Sequence, residues 1–513
     1  MQGKKQRAQK LFLSFQLADR VPEDNFYRRL THSLNLNFLY KETKQYYGDQ
    51  GQQSIDPIVF FKLILMGYLE NLNSDRKIID HARLRLDILY FIGYDIDEEL
   101  PWHSTLSRTR QLYGEDVFRQ LFKKVLSLCV ERGMVSGKRQ AVDSVFVKAN
   151  ASMDSLIEKQ VLEDADAYSD ELTDNVDESK IVSASIKKKI EGRHNWQVKA
   201  YKGKPCNLAS SRYNEHGVLI RPKFLSNQTH YSPTDPDARI SVKTGKPRQL
   251  NYTAQTVVDT KGHVITNIMA DYSDKRDSQS LPRVMEQVVE NLKENDLDIK
   301  EVLADAGYSS GTALKYLDSK GITGYIPSCG QYKNSRDGFT YDRQHDEYTC
   351  REGKKLVFKS IQPNDGKLLR IYRSRQQDCK DCPFKKECFG AGKMKQLSDS
   401  VDKPYYDKMH DRLQTAKAKR MKKLRSSTVE PVLGTLVNFT GMKRVYARGI
   451  HGANKFVLGA AIAYNLKKWM NYRPRKVKVQ VTAMNIPETQ TIKTICTVLG
   501  PIWTTIGYTQ RIV

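Results

Sequence analysis

Nowhere in this 513-residue chain does an apolar run approach the roughly 18 residues that a membrane-spanning helix needs. The opening Met1-Gln2-Gly3-Lys4-Lys5-Gln6-Arg7 is basic, but it lacks the apolar centre and small-residue cleavage site of a secretory signal. Cysteine is sparse, at eight residues, which does not suggest a disulfide-built scaffold. The expectation is a soluble cytoplasmic protein with reduced thiols and no membrane partner. Acidic side chains are also in short supply: 59 Asp and Glu face 84 Lys and Arg, for a net charge of +25. An excess of that size favours a polyanionic partner, because every phosphate contact releases counterions. The length allows two or three domains with well-buried cores.

Residues 20–135 read as helical. Asp56-Pro57 suits a helix start, with aspartate capping and proline in the first turn. Ile58, Phe61, Leu63, Ile64 and Leu65 follow as an apolar stripe. Further helices are expected from Ser74-Asp75, from Ser104-Thr105 with a hydroxyl cap, and over Glu115 to Arg132, ended by Gly133. Such short helices in a basic chain fit a plain bundle or a helix-turn-helix. From Gln140 the pattern becomes strand-like. Ala141, Val142, Val145 and Phe146 give a strand apolar on both faces, as in a covered sheet. Tyr252 to Met269 reads as a hairpin turning at Asp259-Thr260-Lys261-Gly262. A helix over Leu281 to Leu292, a short strand at Val302-Leu303-Ala304, a helix near Ser309 to Asp318 and a strand over Ile322 to Ile326 complete the series. Strand, hairpin, helix, strand, helix, strand is the order of a ribonuclease-H-like α/β domain. The acidic stretch Asp164 to Glu178 reads as a solvated face.

Three acidic windows stand out against this frame. Asp143 lies in the apolar run Val142 to Val147, and Asp305 ends the run Leu303-Ala304 before Gly307. Glu430, in Thr428-Val429-Glu430-Pro431-Val432, reads as the start of a helix beside Arg425. In a mixed sheet the first strand and the strand after the first helix lie side by side, which would bring Asp143 to Asp305. Two strand-borne aspartates and a helix-borne glutamate can hold two Mg²⁺ (or Mn²⁺) ions around a scissile phosphate, the chemistry of DNA cutting and joining. The basic tract Lys417, Lys419, Arg420, Lys422, Lys423 and Arg425, with Lys443, Arg444 and Arg448 after it, supplies candidate phosphate contacts; a solvated helix face is the plain alternative. Among rival acids, Asp277 reads as a helix cap, Asp259 as a turn residue, and Asp235 and Asp237 as loop residues.

Four of the eight cysteines, Cys350, Cys379, Cys382 and Cys388, fall within one turn-rich stretch. Cys379-Lys380-Asp381-Cys382 is the close pair that a tetrahedral thiolate site prefers, and the four together suggest a structural zinc site. The expected surroundings are short strands and turns unable to bury much core, so a metal would supply stability.

These segments together, from about Leu17 to Trp469, resemble a bacterial insertion-sequence transposase of the DDE class, most like the eleven-eighty-two-type branch of the IS-four-like group. The resemblance rests on Asp143-Ser144-Val145-Phe146-Val147-Lys148-Ala149-Asn150, Ser232-Pro233-Thr234-Asp235-Pro236-Asp237-Ala238 and Leu303-Ala304-Asp305-Ala306-Gly307-Tyr308. It continues through the four-cysteine stretch, Val429-Glu430-Pro431-Val432-Leu433-Gly434, Arg448-Gly449 and Ala463-Tyr464-Asn465-Leu466-Lys467-Lys468. It implies a helical N-terminal domain (1–135) and a ribonuclease-H-like core in two parts (136–328 and 401–472). Between them would lie the Cys-rich insertion (329–400), with a tail (473–513) after them. It also implies Asp143, Asp305 and Glu430 as the acidic triad, DNA element ends and target DNA as substrate, and a homodimer that pairs two ends. Related enzymes usually carry a lysine seven residues after the glutamate, where this chain has Val437. That departure keeps a second reading open, an inactive or repurposed transposase that only binds DNA. A structure-specific nuclease would share the metal site but never join ends.

Overall fold

The computed structural model describes residues 16–158 and 226–473, apart from residues 49, 51–53, 228–229, 243–246, 331, 333–334 and 365–366. The acidic stretch 164–178, Cys206, Cys496 and the expected tail from residue 474 lie outside the described residues.

The N-terminal region is helical as expected. Asp56 caps the helix Pro57–Leu69 by accepting hydrogen bonds from the Ile58 and Val59 amides at 2.6 and 3.1 Å, with Pro57 in the first turn. That helix is apolar on nearly every side, so it is buried rather than amphipathic. The helix Glu115–Glu131 turns Val117, Leu121, Phe122, Val125, Leu126 and Cys129 inward, and Gly133 follows it in the left-handed region at φ 69°. The expected hydroxyl cap at Ser104-Thr105 is not formed. The helix starts at His103, directly after extended Trp102 (ψ 143°), and the two hydroxyl residues fall inside its first turn.

The first sheet is built around β1 (Arg139–Lys148). Two short strands, β2 (Ile157–Glu158) and β3 (His230–Tyr231), pair with each other, and β4 (Arg239–Ser241) extends one end of the main sheet. β5 (Gln249–Asp259) runs antiparallel to β1, and β6 (Ile265–Tyr272) antiparallel to β5, as the expected hairpin. β7 (Glu301–Leu303) lies parallel to β1 on its other side, and β8 (Thr323–Tyr325) parallel to β7, giving the order β6-β5-β1-β7-β8. The helix Asp277–Lys293 links β6 to β7, and the helix Gly311–Ser319 links β7 to β8.

The helix Gly449–Asn471 covers the open edge at β6. Asn454 Oδ1 accepts from the Ala270 amide at 2.8 Å, and Asn465 both accepts from the Ile265 amide and donates to its carbonyl, each at 2.9 Å. Side-chain amides about three turns apart thus satisfy an edge strand that would otherwise invite pairing. Asp235 and Asp237 lie in the loop between β3 and β4, as expected, and that loop meets the start of this helix. Asp235 is fully buried and accepts from the Gly449 amide at 3.0 Å and the Tyr252 hydroxyl at 2.6 Å. Asp237 accepts from the Ile450 amide at 2.9 Å. Two acids at the positive end of a helix dipole hold the helix in place from more than two hundred residues away.

A second, wholly antiparallel sheet follows β8: β9 (Phe339–Asp342), β10 (Glu347–Cys350), β11 (Lys355–Asn364), β12 (Lys367–Ser374) and β13 (Gln396–Ser400), in the order β13-β12-β11-β10-β9. The strands are longer than expected, with ten residues in β11 and eight in β12, and they do bury a small core of Tyr348, Leu356, Tyr372 and Leu397. Two helices, Gln376–Lys380 and Lys385–Phe389, lie between β12 and β13. The chain then returns through the helices Lys403–Leu413 and Ala416–Phe439, the second of which packs on β1 and β5.

Candidate functional site

The site begins with register. Ala141 of β1 is paired with Leu303 of β7, and Asp143 and Asp305 each stand two residues further along. Two parallel strands therefore deliver two carboxylates to the same end of adjacent chains, the usual position of a site in an open α/β sheet. Asp143 is half-buried within β1, opposite Thr256 of β5. Burial pushes its carboxyl above the ordinary aspartate value, and the neighbouring charge of Asp305 pushes the same way; the Ser144 amide and Arg425 oppose the shift. Asp305 ends the strand and accepts from the Gly307 amide at 2.9 Å, fixing the one-turn helix Ala306–Tyr308.

Glu430 arrives from the other direction, but not at a helix start. The helix begins at Ala416, where the Thr415 hydroxyl accepts from the Ala418 amide at 3.2 Å, and Glu430 lies well inside it, exposed, before Pro431. The basic tract expected before the helix is its first half, because lysine, arginine, leucine and methionine are strong helix formers. Pro431 continues it at the cost of one backbone bond. Arg425, on the same helix, joins the two acids: its guanidinium reaches Asp143 at 2.8 Å and Glu430 at 3.1 Å. It thus places positive charge between carboxylates from β1 and from the helix.

Asp277, read from the sequence as a helix cap, also borders these carboxylates. It sits within the first turn of the helix Asp277–Lys293, whose cap residue is Arg276, and its Oδ1 accepts from Gln255 Nε2 at 2.7 Å. Gln255, buried in β5, accepts in turn from the hydroxyl of buried Tyr308. A side chain added at Gly307 would come within 3.1 Å of Asp305 Oδ1 and 3.3 Å of Asp277 Oδ2, so both carboxylates border that glycine. Asp277 stands five residues after β6, at the same end of the sheet as Asp305, so the argument that selected Asp305 did not reach it. Gln255 is one of several polar residues of β5, with Asn251, Thr253 and Thr256, so nothing in the sequence singled it out.

The expected phosphate contacts are partly tied down. The loop after the helix Ala416–Phe439 pairs with the end of β1, the Val445 amide donating to the Lys148 carbonyl at 2.8 Å. Arg444 donates to Asn150 at 3.2 Å, while Lys443 and Arg448 are exposed. Lys419, Arg420, Lys422 and Lys423 are exposed along the helix, and Lys417 is ion-paired with Glu301. Val437 is half-buried.

In the second sheet, Cys350 ends β10, Cys379 and Cys388 lie on the two short helices, and Cys382 lies between them. Burial pushes the Cys388 thiol up, and Cys379, Cys382 and Cys350 all lie close enough to add to the shift. Among the described residues, the group whose ligand atoms all fall within 4.8 Å of one another is a different one: Asp342, His345 and Glu347 at the β9–β10 turn. There His345 pairs with Asp342 at 2.7 Å and Glu347 with Lys355 at 2.6 Å. No helix among the described residues is long and apolar enough to cross a membrane.

No curated protein matches the sequence. Two family models do. Residues 15–112 match a transposase domain (DUF772), which covers the N-terminal helices from Leu17 to Leu112. Residues 349–470 match a transposase DDE domain, a span that contains the four cysteines, Arg425 and Glu430, while Asp143 and Asp305 lie outside both matches. With basic charge, acids gathered at a sheet end and transposase matches on both flanks, the findings support an insertion-sequence DDE transposase.

Proposed function

We propose that the protein cleaves DNA at the ends of an insertion sequence and joins them to target DNA, with Asp143, Asp305 and Glu430 as its acidic triad. The observation that carries this reading is the shared register of Asp143 and Asp305, with Arg425 tying Glu430 to Asp143. The strand order β6-β5-β1-β7-β8, antiparallel then parallel, supports a ribonuclease-H-like core. Within the family, the eleven-eighty-two-type branch of the IS-four-like group is the branch we favour. We further propose a cytoplasmic location and, from the need to hold two DNA ends, a homodimer.

The donor set fits Mg²⁺ or Mn²⁺. It consists of hard carboxylate oxygens converging on one end of the sheet, and Arg425 already balances negative charge there. When bound, such ions lower the pKa of an attacking water or 3′-hydroxyl and stabilise the leaving oxygen. The chain's own residues do the rest. Asp143, Asp305 and Glu430 would hold the ions, and the burial around Asp143 strengthens every charge interaction there. Asp277, fixed by Gln255, adds a fourth carboxylate beside Asp305. Arg425, Lys443 and Arg448 would bind phosphates, Arg444 steadying the loop that carries them. No nucleophilic side chain is required. In the second sheet, we assign Cys350, Cys379, Cys382 and Cys388 to one structural zinc site.

The test is to incubate the wild type and Asp305→Asn with labelled DNA from the flanks of the encoding gene and Mg²⁺ or Mn²⁺. Joined strands made by the wild type and absent from the variant are expected. Full activity in Asp305→Asn removes the assignment, and nicks without joined strands indicate a nuclease. Val437, in place of the usual lysine, favours a second reading, a repurposed DNA binder. Binding without cleavage by either protein would establish it, and Val437→Lys is then the variant to try.

A further inference from the structure

β11 and β12 form a ribbon that outruns its own sheet. β10 pairs with β11 only over Lys355, Leu356 and Val357, and β13 with β12 only over Leu369 to Arg373. From Phe358 to Asn364, among the described residues, β11 pairs with β12 alone, which leaves its outer edge open. The register shift between Phe358 and Ser360 puts Phe358, opposite Tyr372, on the same face as Ile361, opposite Arg370, and Leu368, opposite Pro363. These three large apolar side chains are 38, 51 and 55 % exposed. An isolated two-stranded ribbon with a bare edge and an apolar face is marginal in water and prone to association unless a partner covers it.

Charge selects the partner. Residues 355–374 contain five Lys or Arg, at Lys355, Lys359, Lys367, Arg370 and Arg373, against the single acid Asp365. Two such ribbons would repel each other, which disfavours a second copy of the chain. Lys355 and Arg370 are paired with Glu347 and Asp346, while Lys359 is exposed beside the apolar face. A two-stranded β-ribbon has the width of a DNA major groove, and exposed apolar side chains suit contact with thymine methyls or a wedge between base steps. We infer that the β11–β12 ribbon is a DNA-docking arm, separate from the acidic site, whose cations meet phosphates and whose Phe358, Ile361 and Leu368 meet the bases. This rests on DNA being the substrate, as proposed above.

The test uses the full chain and a fluorescently labelled duplex from the flanks of the encoding gene, titrated by anisotropy over a salt series. Lys359→Ala should reduce the slope of log affinity against log salt by about one unit, and weaken binding roughly threefold at physiological salt. Phe358→Ser/Ile361→Ser/Leu368→Ser should weaken binding with the slope unchanged; a melting curve checks that each variant folds, and the charge variant suffices if the apolar one does not. Wild-type affinity and slope in the charge variant overturn the inference while leaving the proposed function intact, provided that the wild type still joins strands. Loss of self-association on sedimentation, with DNA binding unchanged, overturns it in favour of a second copy. A wild type that neither binds nor joins DNA overturns both readings.

Discussion

β5 and β11 are of similar length, yet β5 is buried at ten of its eleven positions and β11 at only one of its ten, Leu356. β5 lies between strands on both sides and under helices, so it tolerates Gln255, Thr256 and Asp259 in the interior. Asp259, for example, accepts bonds from the Gly137 and Lys261 amides and from Gln140. β11 has only a small aromatic cluster beneath it. The first sheet is thus rigid enough to hold unfavourable acids at one end. The second sheet rests on a few aromatic contacts and, in the reading proposed above, on a zinc held by four thiols, and it leaves most of β11 exposed.

The largest expected effect belongs to the first sheet. Asp305→Asn should lower strand cleavage by roughly 10³-fold or more, about 4 kcal/mol of barrier, with an unchanged melting temperature. A fall in melting temperature of comparable weight would make Asp305 a structural residue instead. In the second sheet, Tyr372→Ala removes a core ring and should cost about 3–5 kcal/mol. Urea unfolding should then split into two transitions, the second sheet melting first; a single transition would show that the two sheets fold as one. Cys382→Ser should lose the zinc that metal analysis is expected to find at about one per chain, and make the second sheet more sensitive to protease. Equal zinc content in wild type and variant would rule out the four-thiolate site.

The smallest effect lies at the junction of β7 and the basic helix. Burial alone would push the Glu301 carboxyl up, but hydrogen bonds from Lys417 and Arg139 outweigh it and hold the carboxyl below its ordinary value. A depressed carboxyl stabilises the fold above the unfolded value, 4.5, and the contribution fades as pH falls through the lower folded value. Glu301→Gln should therefore cost about 1 kcal/mol at neutral pH, discounted because Lys417 is half exposed. The gap from the wild type should close in acid. A gap independent of pH would trace the effect to packing rather than charge.

The parts of this fold legible in the sequence were those governed by local rules. Alternation and apolar runs gave β1, the β5–β6 hairpin and β7, and Asp56-Pro57 gave a helix start that the structure contains. The neighbouring of Asp143 and Asp305 followed from topology alone. Long-range pairings were not legible. Nothing near Asp235 in the sequence announces that its partner is the amide of Gly449, nor that Arg425 would bridge Asp143. Glu430 read as a helix start, but the helix begins at Ala416 and carries Pro431 in its interior. Proline's own chemistry disfavours that place, and only flanking residues buried on both sides, such as Val429 and Val432, sustain it. Asp277 was hidden by a simpler explanation, a helix cap, that fitted its local sequence equally well.

The helix Gly449–Asn471 has a consequence for how such proteins can be recombined. A side chain at Gly459 would meet the Tyr68 ring at 2.2 Å, so the two helices touch through a glycine. Lys467 donates to the Leu69 carbonyl at 2.6 Å, and Lys455 donates to the carbonyls of Arg110 and Tyr113 at 2.9 and 2.6 Å. The two segments that match transposase domain models therefore meet through the last helix of one and residues of the other such as Tyr68, Leu69 and Arg110. A chimera that exchanges residues 15–112 with those of a relative must bring along the matching face of the final helix. Swapping of the N-terminal segment alone should yield insoluble protein, and exchanging it together with that face should restore soluble protein.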